Sequence, residues 1–253
     1  MKKVLSLAVI SFLSASALFA ANPFDEFKNK LTGQLTEVAQ KNLDNFAKDL
    51  GILLSGGAFH DGKTLGLPGF DIGVHAPVIN VNSDNPIMKT SGLDTVALPV
   101  IQVEVGLPAK IDLIGRFISY YDSTLVGAGV RYGIIKNSVP GLPSISVQGV
   151  YNMLDVNSGQ NKLKATTLSA TAIASFGLPI VNPYVGVGMD STSVEPDSTI
   201  TALMPLSGMK GSASQVRIEG GINLSLIPFT YLQLGGTLVN GNLGYTAGLG
   251  LAF

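Results

Sequence analysis

The C-terminal stretch Leu243-Gly-Tyr-Thr-Ala-Gly-Leu-Gly-Leu-Ala-Phe253 alternates along its whole length. Leu243, Tyr245, Ala247, Leu249, Leu251 and Phe253 fall on one side, and Gly244, Thr246, Gly248, Gly250 and Ala252 on the other. A strand sorts residues this way because successive side chains point to opposite faces. A helix would instead group positions three and four apart. Upstream, Val216, Ile218, Gly220, Ile222, Leu224 and Leu226 alternate with Gln215, Arg217, Glu219, Gly221, Asn223 and Ser225. One apolar face and one small or polar face is what a sheet between lipid and a polar interior requires.

Composition points the same way. Charged residues make up 13% of the chain, against about 25% in ordinary soluble domains, and mean hydropathy is +0.38. No charged residue occurs from Gly220 to Phe253. Gly, Pro and Asn break the apolar stretches, as in GLPIVNP (177–183) and LVNGNLG (238–244), so spanning helices fit poorly. A closed barrel is the other structure that satisfies its backbone in hydrocarbon. The net charge of −1 carries no basic excess, so nucleic acid is not an expected partner. With no cysteine there is no disulfide framework, thiolate metal site or lipidation cysteine, and two histidines make a zinc cluster improbable. No metal or cofactor is expected.

The period of two places about ten strands, with eight to twelve allowed, near 69–81, 98–106, 109–119, 123–133, 144–153, 163–175, 180–190, 213–226, 229–239 and 243–253. The fold class is all-β: a single antiparallel transmembrane barrel preceded by an N-terminal amphipathic helix. Pro77 and Pro183, inside strands, point to bulges or edges near the rim. Gly-Leu-Pro recurs at 66–68, 106–108, 141–143 and 177–179, with Leu-Ile-Pro at 226–228, each time ahead of a strand of the same direction. These turns share an end with the C-terminus. The opposite connections, at 82–97, 120–122, 154–162, 191–212 and 240–242, include three long ones, the asymmetry of short periplasmic turns and longer outer loops. Within 191–212 the run Thr199–Leu206 is unusually apolar for an exposed loop.

At the N-terminus, Lys2 and Lys3 precede an apolar run from Val4 to Leu13 and small residues through Ala21. Residues 1–20 therefore read as a signal peptide. Residues 21–54 form a helix and hinge, and 55–253 the barrel. In the helix, Phe24, Phe27, Leu31, Leu35, Val38, Leu43, Phe46 and Leu50 recur at helical spacing among balanced charges. It is read as a plug or periplasmic cap, with the periplasmic end of the barrel preferred; lying on the inner leaflet or binding a periplasmic partner are the other two readings.

The signal peptide, the alternating strands and the ending Gly244–Phe253 resemble bacterial outer-membrane barrels of the porin-like superfamily. The resemblance implies a Gram-negative-type envelope and an outer-membrane address, with the helix and C-terminus on the periplasmic side. It also implies that Tyr245, Leu249, Leu251 and Phe253 form the signal read by the barrel-assembly machinery. Lipid is the expected partner, and oligomeric state is open. The segments Ser55–His60 and Gly69–His75 are similar to barrel families without an assigned function.

By alternation the lumen receives Asp71, His75, Gln102, Glu104, Lys110, Asp112, Arg116, Arg131, Gln148, Arg217, Glu219, Asn223 and Gln233. Mixed signs in a narrow interior favour a salt-bridge network. Passive passage or slot-binding of small solutes through a narrow charged lumen is the leading functional expectation, and a closed structural or partner-binding barrel the alternative. Asp71 and His75 point the same way and offer a base with an orienting acid. No serine elbow or second carboxylate joins them, so no catalytic residue is assigned.

Overall fold

The computed structural model describes residues 36–90, 94–137, 139, 141–158, 161–198 and 208–253. Helix α1 (Thr36–Ser55) is followed by β1 (Phe70–Asn80), the short helix α2 (Pro86–Thr90), β2 (Thr95–Ala97), β3 (Val100–Leu107), β4 (Ile111–Tyr120) and β5 (Ser123–Ile135). Then come β6 (Pro143–Ser158), β7 (Asn161–Phe176), β8 (Val181–Ser198), β9 (Gly211–Leu224), β10 (Thr230–Val239) and β11 (Asn242–Ala252). Every pairing is antiparallel, and β1 closes on β11 from Asp71↔Ala252 to Ile79↔Gly244. Since β2 pairs only with β1, ten strands form a closed wall.

All ten expected strands are present, with ends displaced by a few residues. The prolines mark interruptions as expected. The β1–β3 ladder stops at His75↔Val100, next to Pro77, and β2 resumes pairing from Val78. Pro183 pairs with Ile222 of β9 just beyond the last β7 partner of its strand, Tyr184. The connections differ more. Residues 82–97 contain α2 and β2, and β6 and β7 run on to Ser158 and from Asn161, so 154–162 is no long loop. Of 191–212, residues 191–198 and 211–212 are strand, and the apolar run 199–206 lies outside the described residues.

The seam is locked at the C-terminal end. Phe70 and Phe253 exchange backbone hydrogen bonds (3.2 and 2.8 Å), and the Phe253 ring stacks on Phe229 at 5.4 Å. All five turns of the Gly-Leu-Pro type lie at this end, each before a strand leaving it: β1, β4, β6, β8 and β10.

Outward faces form an apolar belt, including Ile72, Val74, Ile101, Leu113, Phe117, Val126, Val130, Tyr151, Leu168, Val187, Met189, Val216, Ile218, Leu234, Tyr245 and Leu249, all exposed. A continuous apolar girdle on a closed barrel identifies a membrane-spanning fold. No helix among the described residues is long and apolar enough to cross a membrane. One wall is taller: β6, β7 and β8 have 16, 16 and 18 residues, where a bilayer needs about ten. Past Met153, Leu168 and Met189 their outward face turns polar. Asp155 lies opposite Lys164, Lys164 opposite Glu195, and Glu195 bonds Lys210 of the next strand's approach at 2.9 Å. Alternating charge suits a surface in water, not in lipid.

Candidate functional site

The interior of the barrel is filled by its own N-terminal segment. Helix α1 lies against β8 and β9 and touches β1, β6 and β7. Its Ala39, Leu43, Phe46, Ala47, Leu50, Leu53 and Leu54 recur at helical spacing and are buried. They share one core with Val81, Ile87, Met88 and Val96 of the β1–β3 connection and with Leu125, Leu154, Leu163, Ala165 and Val194 of the wall. Burying each large member is worth about 2 kcal/mol, so the helix is an integral part of the fold. The small inner faces of β7 and β8 leave space for it: Gly51 packs against Thr192, which bonds Thr167 at 3.0 Å.

The helix has a direction. Near its N-terminus Gln40 donates to the Lys210 carbonyl (2.8 Å), and Asp44 accepts from the Ser212 amide (2.9 Å), both at the end remote from Phe253. One turn on, Asp49 accepts from the Asn82 amide and from Asn85 (3.2 and 2.8 Å). Residues 56–69 then descend as an irregular run of turns and bends to the C-terminal end, where Gly66 lies against Gly106. The helix therefore does not cap the C-terminal end, as the sequence suggested. It sits in the lumen towards the opposite end, and residues 55–69 belong to the filling, not the wall. An amphipathic pattern identifies an apolar stripe but not which end of a tube will cover it. Residues 1–35, with the expected signal peptide and the first part of the expected helix, lie outside the described residues.

The descending segment makes few backbone bonds of its own, and the wall supplies them. Arg116 donates to the carbonyls of Leu54 (2.6 Å) and Gly56 (2.9 Å), and to Asn152 (3.2 Å). Gln148 and Gln102 donate to Ala58 (2.9 and 3.3 Å), Gln233 to Phe59 (3.1 Å) and Asn223 to His60 (2.5 Å). Arg131 reaches Asp61 (3.3 Å) and Lys136 reaches Leu65 (3.0 Å). The Leu65 amide in turn donates to Asp112 (3.0 Å). Buried backbone needs partners, and here side chains from six wall strands provide them. Gly57 takes φ +64, and a Cβ there would crowd His75 and Thr246. Gly186 meets the edge of the Phe59 ring with no room for a side chain.

The remaining charge of the wall is paired internally. Arg131 bonds Glu104 and Asp112 (2.9 Å to the latter), and Arg217 bonds Asp190 (2.8 Å) and Glu219 (2.6 Å). Ser55 lies 2.9 Å from Asp190, and the Arg217 guanidinium stands 5.7 Å over the Phe59 ring. Of the thirteen expected lumen residues, Asp71, His75, Gln102, Glu104, Asp112, Arg116, Arg131, Gln148, Arg217, Glu219, Asn223 and Gln233 are buried inside. Lys110 is not. It sits in the exposed turn Pro108–Lys110 with φ 62, and its ammonium is 3.5 Å from the Ile134 carbonyl. The strand begins at Ile111, after the proline turn, so alternation counted from 109 misplaces it.

The two histidines meet. His60 bonds Asp71 at 3.2 Å and stacks on Tyr231 at 4.3 Å. Tyr231 Oη lies 3.0 Å from Asp71 and 3.1 Å from His75 Nε2, and His75 Nδ1 lies 2.6 Å from Gln233. Asp71 thus orients His60 and reaches His75 only through Tyr231, so the expected Asp71–His75 pair does not form. His60 precedes the first strand, and nothing in local sequence could place it in the lumen. A cleft of about 310 Å³ remains at the C-terminal mouth, lined by Asp61, Lys63, Asn137, Ser175 and Asn182 among others. Among the described residues no group of three or more His, Cys, Asp or Glu is arranged to hold a metal ion.

The family of unknown function DUF6588 matches residues 85–253. The chain belongs to that family. Its match to DUF6588 begins after β1, so the lumen filling and the closing strand lie upstream of it. No protein of curated function matches. Similar solved structures include OprG of Pseudomonas aeruginosa, at 12% identity over 76% of this chain and 99% of that one, TM-score 0.38. The N-terminal barrel domain of OprF from the same species aligns at 14% identity over 74% and 99%, TM-score 0.34. The translocator domain of the autotransporter NalP from Neisseria meningitidis aligns at 11% identity over 87% and 99%, TM-score 0.38.

Proposed function

We propose that this DUF6588 protein is a closed structural or partner-binding barrel of the bacterial outer membrane. Its lumen holds its own N-terminal segment and passes no solute in the folded state. The observation that carries the reading is the lumen itself. Wall side chains spend their hydrogen bonds on carbonyls of residues 54–65, and the level above is an apolar core around α1. Passive passage would need these bonds broken and that core opened, at a cost of many kcal/mol. The apolar belt, the short turns at one end and the expected signal peptide support the outer-membrane address. Lipid and the assembly machinery are the proposed partners during biogenesis. A catalytic role for His75 is not part of the reading, since both ring nitrogens are committed inside the wall.

Single-channel recording in planar bilayers tests this reading. Full-length protein, with insertion verified by heat-modifiable migration, is expected to be silent at moderate voltage. Steady, discrete conductance steps from the full-length chain would overturn it.

A further inference from the structure

We infer that this barrel is oriented with the N-terminal end of its lumen helix outward, so that the first turns of α1 stand at the cell exterior while the C-terminus stays on the periplasmic side. The inference goes beyond a closed lumen and does not depend on conductance. It rests on three placements.

The first is the order of contacts along the filling. Gln40 and Asp44 meet residues 210–212, Gln215 donates to the Lys48 carbonyl, Ser55 meets Asp190, Phe59 meets Gly186, and Leu65 meets Asp112. These partners step steadily from the tall end of the wall to the end that carries Phe253. The chain therefore runs once through the whole lumen, entering at the tall end.

The second is the identity of that end. It carries the long connection with α2 and β2, and a wall of about six residues per strand, roughly 20 Å, beyond what a bilayer needs. Its outward face is the charge ladder Asp155–Lys164–Glu195–Lys210. The other end carries short turns with exposed Leu142, Leu178, Ile180, Leu226 and Ile227 close to the belt. Longer, polar extensions belong on the outside of the outer membrane, short turns on the inside.

The third is the lack of a way back. At the level of α1 the lumen is packed with Leu43, Phe46, Leu50 and Leu54 against the wall. A second strand of chain cannot descend beside them, and the β1–β11 seam is continuously paired. The first turns of α1 stand at the mouth, where Glu37, Gln40, Lys41 and Asp44 border an open hollow of about 490 Å³. The barrel thus holds the first turns of α1 at its outer mouth, gripped along 30 residues of lumen filling, from Thr36 to Leu65.

The chain has no cysteine, so single-cysteine variants report one position each. Lys41→Cys marks the mouth at the tall end, and Leu226→Cys marks the turn at the other. Intact cells are treated with a membrane-impermeant maleimide, and only protein that migrates as the folded form is scored. The expected result is that Lys41→Cys labels at least tenfold more than Leu226→Cys, which reacts only once the outer membrane is permeabilised. The reverse pattern, equal labelling of both, or labelling of Lys41→Cys only after permeabilisation overturns the inference.

Discussion

Arg116 on β4 donates to the carbonyl of Leu54 across 2.6 Å, so a wall side chain caps the C-terminal end of a helix that is not part of the wall. The last turn of α1 has no basic residue of its own. A guanidinium at that position satisfies carbonyls the helix leaves open and opposes the negative end of its dipole. Replacing Arg116 with Met should cost about 3 kcal/mol, since it strands the Leu54 and Gly56 carbonyls in a dry interior. The check is the denaturant midpoint for loss of heat-modifiable migration, compared with Arg116→Lys, which can keep one of the two bonds.

Phe59 and Gly186 are expected to behave as a coupled pair. A Cβ on Gly186 collides with the Phe59 ring. Gly186→Ala should lower stability by about 1–3 kcal/mol through overpacking. In a Phe59→Leu background the same change should cost much less. A double-mutant cycle reads the coupling directly, and additive costs would mean that Phe59 does not sit on β8.

The ion-pair group around Arg131 predicts an asymmetry. Arg131→Met leaves Glu104 and Asp112 buried without their counter-charge and should cost about 3–5 kcal/mol. Glu104→Gln keeps one carboxylate on the guanidinium and should cost less. Unfolding midpoints of the two variants, measured in one detergent, decide the order.

At the seam, Phe253 pairs with the Phe70 backbone and stacks on Phe229. Phe253→Ala retains the backbone bonds but removes the ring, so it should lower the yield of folded protein in the membrane severalfold while leaving purified barrels nearly as stable. Quantifying folded and unfolded forms in cell envelopes tests this. A parallel loss of stability would assign the ring to packing and not to assembly.

The wall was legible in the sequence because alternation is a local property: each strand displays its period of two whatever surrounds it. The Gly-Leu-Pro turns added phase, and twelve lumen side chains followed from parity. Lys110 was misplaced because it belongs to the proline turn and the strand starts only at Ile111. The filling was harder to read. Residues 36–55 show an apolar stripe, but whether a stripe meets a tube's mouth, its interior or a membrane is decided by long-range packing. The segment around Phe59 and His60 carries no periodicity at all. Its only hint was the pair of glycines at 56 and 57, where the descent begins. The tall wall also hid its function, because apolar inward residues such as Leu154, Leu163 and Val194 look like lipid contacts until α1 is placed against them.

The occupied lumen is tested most directly by a cross-link between filling and wall. A Cβ built on Gly51 lies 3.2 Å from the Thr192 Cβ, near the span a disulfide requires. The Gly51→Cys, Thr192→Cys double variant is oxidised in membranes, and folded-form protein is run without reductant. The account predicts near-complete bridging, seen as altered migration of the denatured chain and loss of both thiols. Two free thiols in a correctly folded barrel would contradict it.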